Sequence, residues 1–267
     1  MKINKKLQSI TKNKIDFPMT RERYLSTWKI FRTLSDENSI TAKHLLTLHS
    51  WCNINSVLDL GCGDGLIMKN IVLLDSNKIS KVILVDPDYE MLTEAKKQVA
   101  KTGLVQDVES YLSGFENCID FCIEKADIIL AVHLVYLITP ESFNRLIDLL
   151  PVGKKLIVVL DDENSVFTKL WKKTAPRYVQ RSAYVRDYLN KLSQEHFINK
   201  TIISSQIANP LLLNKEIKES LLSLMSYSDF SLMNTEKQKF VENCIKDNLT
   251  LGFVECKSVC FEVMKLK

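Results

Sequence analysis

One run of residues constrains this chain more than any other: Val57-Leu58-Asp59-Leu60-Gly61-Cys62-Gly63-Asp64-Gly65. An apolar segment with the length of a buried strand enters a turn that carries glycine at every second position. The apolar-faced stretch 66–74 follows it. Glycine adopts positive φ without steric penalty and lets the backbone approach a ligand closely. A helix that opens at such a turn aims unpaired N–H groups into the same space. Strand, glycine-rich turn and helix in this order predict a unit that holds a ligand largely with its backbone.

The flanking pattern repeats strand and helix. Residues 81–86 (KVILVD) read as a strand, and 87–101 as a helix with Pro87 at its favourable first position. A weaker strand follows over 105–111, a strong one over 126–132, a helix over 140–150 and a buried strand over 155–160. Continuous apolar strands separated by helices imply a parallel sheet covered on both faces. Beyond Asp161 the segments 165–173, 183–192, 215–226 and 236–246 look helical, whereas 198–207 and 258–266 look extended. Ahead of the glycine turn, Leu25, Trp28, Phe31 and Leu34 recur at helical spacing, as do Ala42, Leu45, Leu46 and Leu48. The polar break at 35–39 between these two groups can cap the second helix.

The fold expected is α/β: a doubly wound, seven-stranded Rossmann-like sheet with a helical cap. Residues 1–19 read as a basic tail and 20–267 as a single domain. Within that domain, 20–51 form an N-terminal helical cap and 52–161 the cofactor-binding core. Residues 162–257 supply cap helices and a strand, and 258–267 a closing strand.

Composition removes several classes. No run reaches the roughly 18 apolar residues that a membrane span needs. Lysine and arginine number 36 against 32 acidic residues, so the net charge of +4 is far from the footprint of a nucleic-acid binder. The seven cysteines (Cys52, Cys62, Cys118, Cys122, Cys244, Cys256, Cys260) include no CxxC pair, and His44, His49, His133 and His196 are not placed to complete a zinc site. No metal is expected, and buried free thiols suit a reducing, cytoplasmic setting. The basic N-terminus (Lys2, Lys5, Lys6, Lys12, Lys14) lacks the apolar core of a signal peptide, because Asn13, Lys14 and Asp16 interrupt it.

A second signal lies 25 positions after Gly61, where Asp86 ends its strand in Val85-Asp86-Pro87-Asp88. A carboxylate there can accept both hydroxyls of a ribose; taken alone it could equally be a helix cap. The dinucleotide pattern G-x-G-x-x-G would need glycine at Leu66, whereas here an aspartate precedes the turn and the third glycine is Gly65. This D-x-G-x-G turn and Asp86 together resemble the class I S-adenosylmethionine-dependent methyltransferases over residues 55–160. The resemblance implies S-adenosyl-L-methionine as cofactor, with S-adenosyl-L-homocysteine as product. It implies cofactor contacts at Asp59, Gly61, Gly63, Asp86, Pro87, Met91, Ser113 and Val132, with the acceptor above the strand ends.

A narrower resemblance rests on the spacing Tyr24-x3-Trp28-x2-Phe31, the break Ser35-Asp36-Glu37, and Lys155-Leu-Ile-Val-Val-Leu followed by Phe167-Thr-Lys-Leu-Trp171-Lys-Lys. These are similar to the histamine N-methyltransferase family. That similarity implies an aromatic pocket for a small amine, lined by Tyr24, Trp28, Phe31, Tyr136, Phe167 and Trp171. Glu37 would hold the ammonium end by a charge-assisted bond. His133 stands where the family has glutamine, and Lys257 where it has asparagine. The turn also departs, with Gly-Cys-Gly-Asp-Gly in place of three consecutive glycines. Ring faces would attract a cationic amine by about 0.5–2 kcal/mol each. His133 and Glu37 are the candidate catalytic residues, His133 as a base titrating near neutrality. Plainer roles stand beside these: Trp28, Phe31 and Trp171 as packing, Glu37 as a helix-start charge, His133 as a structural hydrogen-bonding group.

The function expected is N-methylation of a small amine or imidazole-like molecule by a monomeric enzyme, without nucleic-acid or membrane partners. No Asn/Asp-Pro-Pro-aromatic clamp for a base follows the fourth strand. The alternatives are a methyltransferase of protein or peptide side chains, and a cofactor-binding module without catalysis.

Overall fold

A computed structural model describes residues 19–48, 51, 53–75, 79–192 and 195–266. Most of the expected basic tail therefore lies outside the described residues, as do Cys52 and His49. Met19 is buried at 7% exposure, so it belongs to the fold and not to a tail.

Helices α1 (Arg21–Leu34) and α2 (Glu37–Thr47) come first, separated by the two-residue break Ser35-Asp36. The alternating core then runs β1 (Ser56–Leu60), α3 (Leu66–Leu74), β2 (Lys81–Asp86), α4 (Tyr89–Ala100) and β3 (Asp107–Leu112). It continues through a short α5 (Ile119–Cys122), β4 (Ile128–Val132), α6 (Pro140–Asp148) and β5 (Lys155–Asp161). The C-terminal part adds α7 (Val166–Thr174), α8 (Pro176–Lys191), β6 (His196–Ala208), α9 (Lys215–Ser226), α10 (Thr235–Lys246), β7 (Leu249–Thr250) and β8 (Phe253–Lys265).

Strand order is β3-β2-β1-β4-β5-β8-β6, with the two-residue β7 pairing with β8. The first five are parallel to one another, and β8 runs antiparallel to both β5 and β6. The doubly wound sheet is as expected; β7, which makes the eighth strand, is too short to read from hydrophobic pattern. The chain leaves β1 in one direction along the sheet and returns to β4 on its other side. The crevice between the ends of β1 and β4 is therefore the topological switch point. Alternation in β1 feeds two cores. Leu58 and Leu60 pack on the face that carries Phe31, Phe143 and Phe167, and Val57 packs on the face that carries Met68, Ile71 and Ala95.

Two local details correct the sequence reading. Pro87 is not the first residue of a helix: it is exposed in the link after β2, and Asp88 caps α4 by accepting from Glu90 N (3.0 Å) and Met91 N (3.1 Å). A cap satisfies two N–H groups that a proline at the same place could not, since it offers no acceptor side chain. Helix α8 begins at Pro176, seven residues before the apolar spacing signals it. In the polar break, Ser35 Oγ accepts from Glu37 N (3.1 Å), while Asp36 pairs with β6 through Gln206 on both its backbone and its carboxylate. That pairing fixes where α2, and hence Glu37, begins.

Candidate active site

The glycine turn is shaped by three positive φ angles, +67° at Gly61, +55° at Gly63 and +75° at Gly65. Each glycine answers a different demand. A Cβ on Gly61 would lie 2.8 Å from Leu134 Cδ1, and one on Gly65 would lie 2.7 Å from Ala95 Cα. Gly63 meets nothing within 4 Å, so its missing side chain leaves open room above the turn. Gly61 N and Cys62 N both donate to Val85 O (2.8 and 3.0 Å), which binds the turn to the end of β2.

Asp86 completes that junction. Its Oδ2 accepts from Gly63 N (2.9 Å) and its Oδ1 from Asp88 N (2.8 Å). Each oxygen keeps a further lone pair, enough for a ribose diol. Burial pushes the carboxyl up to about 6, against the pull of the two N–H groups. Asp59, at 4% exposure, is pushed up to about 7 by burial, with the charge of Asp86 adding to it. Ser113 N donates to Asp86 O (3.1 Å), Met91 lies in the first turn of α4, and Val132 ends β4 half-buried. A backbone cradle with open space at Gly63 and a carboxylate with free lone pairs beside it fit S-adenosylmethionine. When bound, that group supplies an electrophilic methyl on sulfur.

Helix α1 is clasped across this region at both ends. Arg21 donates from Nε to Asp88 Oδ2 (2.7 Å) and from Nη2 to Asp88 Oδ1 (2.8 Å), the bidentate form that gives direction as well as strength. Arg32, three turns further along, forms an ion pair with Asp64 of the glycine turn. The Arg32 guanidinium lies 5.0 Å from the Trp28 ring centroid.

Beside the strand ends sits a buried polar chain. His133, directly after β4, adopts φ +54°, and its N–H donates to Val159 O (2.8 Å). A non-glycine residue in that region stores strain and is held by its surroundings. Its Nε2 lies 3.3 Å from Glu37 Oε1. Its Nδ1 lies 3.3 Å from the Tyr136 hydroxyl, which donates to Asp161 Oδ2 (2.6 Å) and accepts from Asp161 N. Arg186 Nη1 closes the chain on Asp161 O (2.9 Å). Burial lowers the His133 pKa, yet the Glu37 charge and bond together with the Asp161 charge raise it to about 9. The pairing with Glu37 favours the imidazolium, which donates, over the neutral ring that the base role expected from the sequence would use. Burial pushes Asp161 up to about 6 against the opposing His133 charge.

The aromatic residues read from the sequence come together. Tyr24 stacks near Trp28 (6.3 Å between centroids), Trp28 on Phe31 (5.4 Å), and Phe31 meets Phe167 edge-on (6.1 Å). Phe167 leads to Trp171 (5.8 Å), and Trp171 meets Tyr136 edge-on (5.0 Å). Two members escaped sequence reasoning: Tyr178 and Tyr227, 4.5 Å apart, each packed about 6 Å from Trp171. Tyr227 closes α9 in a left-handed conformation (φ +50°), a cap that no glycine announces. Asp161, Arg186 and Arg32 also went unread. For Arg32 the signal exists, since it stands one turn after Trp28 on the same helix. Lys257 does not join the group; its Nζ faces Glu255 Oε2 at 3.6 Å. Among the described residues six cysteines are free and no cluster could hold a metal ion. No helix of the described residues is long and apolar enough to cross a membrane.

Comparison with known proteins places this geometry. A family model described as a methyltransferase domain matches residues 57–150. No curated protein matches the chain. Among solved structures, a putative methyltransferase from Bacillus halodurans C-125 is 16% identical with a TM-score of 0.55, covering 86% of this chain and all of its own. The YcgJ protein from Bacillus subtilis is 17% identical with a TM-score of 0.53, covering 86% of this chain and 99% of its own. The plantazolicin methyltransferase BamL, solved in complex with a triazolic desmethylPZN analog and SAH, is 18% identical with a TM-score of 0.48, covering 92% of this chain and 96% of its own. At these identities the structural likeness concerns the fold, and the domain match carries the chemistry. Residues 57–150 are a methyltransferase domain, and the chain is an S-adenosylmethionine-dependent methyltransferase of the class I fold.

Proposed function

We propose that the enzyme methylates a nitrogen of a small amine or imidazole-like molecule held among the aromatic side chains of α1 and α7 together with Tyr136, Tyr178 and Tyr227. The observation that carries this reading is the continuity from Glu37 through His133 and Tyr136 to Trp171: an anion stands at one end of a run of packed rings. Aromatic faces and a carboxylate are complementary to a cationic or N–H-bearing acceptor. Glu37 accepts from the acceptor's N–H, and protonated His133 donates to a neighbouring acceptor atom. A group with a donor and an acceptor side by side, such as an azole, meets both.

Closure favours a small acceptor over a protein side chain. Phe31, Phe167 and Trp171 are buried, and α1 is fastened down by ion pairs at both ends. Cofactor binding is assigned to Asp59, Gly61, Gly63, Asp86, Met91, Ser113 and Val132, with Pro87 as the exposed link. Rate would come mainly from alignment, worth up to about 7–11 kcal/mol for an ideal approach. We further propose a monomer acting in the cytoplasm.

The test is calorimetry with S-adenosylmethionine and S-adenosylhomocysteine, then a methyl-release screen over small amines and azoles with wild type and Glu37→Gln. Turnover on a small acceptor, with its KM raised by Glu37→Gln and cofactor affinity unchanged, supports the reading. Turnover only on polypeptide side chains overturns it in favour of a protein methyltransferase.

A further inference from the structure

We infer that Arg32 is a cofactor-positioning residue: it receives the carboxylate of the cofactor's methionine moiety and thereby ties cofactor binding to the placement of α1 over the acceptor. The inference rests on the assignment of the chain as an S-adenosylmethionine-dependent enzyme and goes beyond it in naming this residue.

The charges around the turn pose the problem. Asp59, Asp64 and Asp86 are all acids. They suit the ribose hydroxyls and the cofactor's ammonium group, but they repel its carboxylate. Among the described residues, Arg32 is the basic side chain held in an ion pair by the glycine turn. It stands at the turn's Asp64, where a cation is needed.

Arg32 is also incompletely used. Asp64 takes its Nη1, while its Nε is buried with no hydrogen-bond partner among the described residues. A guanidinium N–H buried without an acceptor is costly to a fold, and a carboxylate is the acceptor whose planar geometry suits its fork. The guanidinium lies over the Trp28 ring. The side chain is 13% exposed, so it is not a surface arginine free to sample solvent. Lysine, a point charge, could not serve Asp64 and a second carboxylate from one rigid plane.

The consequence reaches the acceptor. Arg32 shares α1 with Tyr24, Trp28 and Phe31, which belong to the aromatic group proposed to hold the acceptor. Any pull of a carboxylate on Arg32 is transmitted along one helix to those rings. The acceptor space is then completed by bound cofactor, which gives an ordered sequence: cofactor first, acceptor second.

The experiment compares two ligands by calorimetry on the full chain. S-adenosylhomocysteine carries the amino-acid moiety; 5′-methylthioadenosine keeps the nucleoside and thioether but lacks it. Arg32→Ala is expected to weaken S-adenosylhomocysteine about ten- to hundredfold, the range of a lost charge-assisted bond, and to leave 5′-methylthioadenosine unchanged. Arg32→Gln, which keeps the stem on Trp28, gives the same comparison should the alanine variant fail to fold. Equal weakening of both ligands, or of neither, overturns the proposal while leaving the cofactor assignment intact. A wild-type chain that binds neither ligand overturns the assignment itself, and the proposal with it.

Discussion

The Glu37 carboxylate faces the His133 imidazole across the gap between the start of α2 and the end of β4, 3.3 Å from Oε1 to Nε2, and its charge favours the protonated ring. Two segments far apart in sequence are joined there by charge, at the strand end where the fold places its chemistry.

That pair has a pH signature. His133 titrates near 9 in the fold, against about 6.5 in an unfolded chain. A raised imidazole contributes stability that is complete below about pH 6.5 and is lost as pH rises through about 9. Glu37→Gln leaves burial, which lowers the pKa, with less to oppose it. Wild type is expected to exceed Glu37→Gln in unfolding free energy by on the order of 1–3 kcal/mol near pH 6, the gap closing toward pH 10. Denaturant unfolding across that range, with the His133 ring proton followed by NMR, reads both quantities. A gap that does not change with pH would show that the two groups are not coupled.

Asp59 predicts the opposite trend. Its carboxyl is pushed up to about 7 by burial and by Asp86. A carboxylate raised in the fold opposes folding once ionised, so its cost is full above about pH 7 and fades toward the ordinary value near 3.9. Asp59→Asn, of nearly equal size, is expected to unfold at higher temperature than wild type at pH 8. The advantage should shrink steadily as pH falls to about 5.5. Calorimetric melting at several pH values measures it, with cofactor affinity expected to fall because a neutral amide cannot complement a cation.

Much of this site is legible in the chain because its parts are local. Asp59, Gly61, Gly63 and Asp86 follow from a strand, a turn and the end of the next strand, where backbone geometry dictates residue type. The aromatic spacing on α1 and α7 is equally local. Asp161, Arg186, Tyr178 and Tyr227 were not legible, since their roles arise from α8 and α9 folding back over the sheet, and no short-range pattern encodes that return. His133 shows the limit from another side. Its position after β4 was readable, but its protonation depends on Glu37, 96 residues earlier. The clasp of Arg21 on Asp88 is likewise a long-range pairing that nothing in either segment announces.

Trp171 separates packing from binding. Its Nε1 donates to Met225 O (2.9 Å), and its ring touches Tyr136, Phe167, Tyr178 and Tyr227. Trp171→Phe keeps an aromatic face but strands a buried carbonyl, a loss of about 1–3 kcal/mol. Denaturant unfolding is expected to show that loss while S-adenosylhomocysteine affinity stays at the wild-type value. A fall in cofactor affinity as large as the fall in stability would mean that the ring supports the cofactor cradle instead of the acceptor space.

The glycines of the turn give the sharpest contrast, because neighbours two residues apart should fail for different reasons. An alanine at Gly65 would place its Cβ 2.7 Å from Ala95 Cα, a backbone atom that cannot step aside without moving α4 against α3. Both the contact and the φ of +75° count against it, so Gly65→Ala is expected to lose several kcal/mol of stability, beyond the roughly 1–2 kcal/mol of a strained backbone alone. At Gly63 a Cβ meets nothing, and only the φ of +55° resists it. Gly63→Ala should therefore remain folded, with a loss limited to about 1–2 kcal/mol, yet its methyl would occupy the open room that the cofactor needs. Melting temperature and S-adenosylhomocysteine affinity, measured together on the two variants, check the argument: stability falls most at Gly65, and in the protein that stays folded, binding is lost at Gly63. Undiminished binding by Gly63→Ala would mean that the cofactor does not lie over this part of the turn.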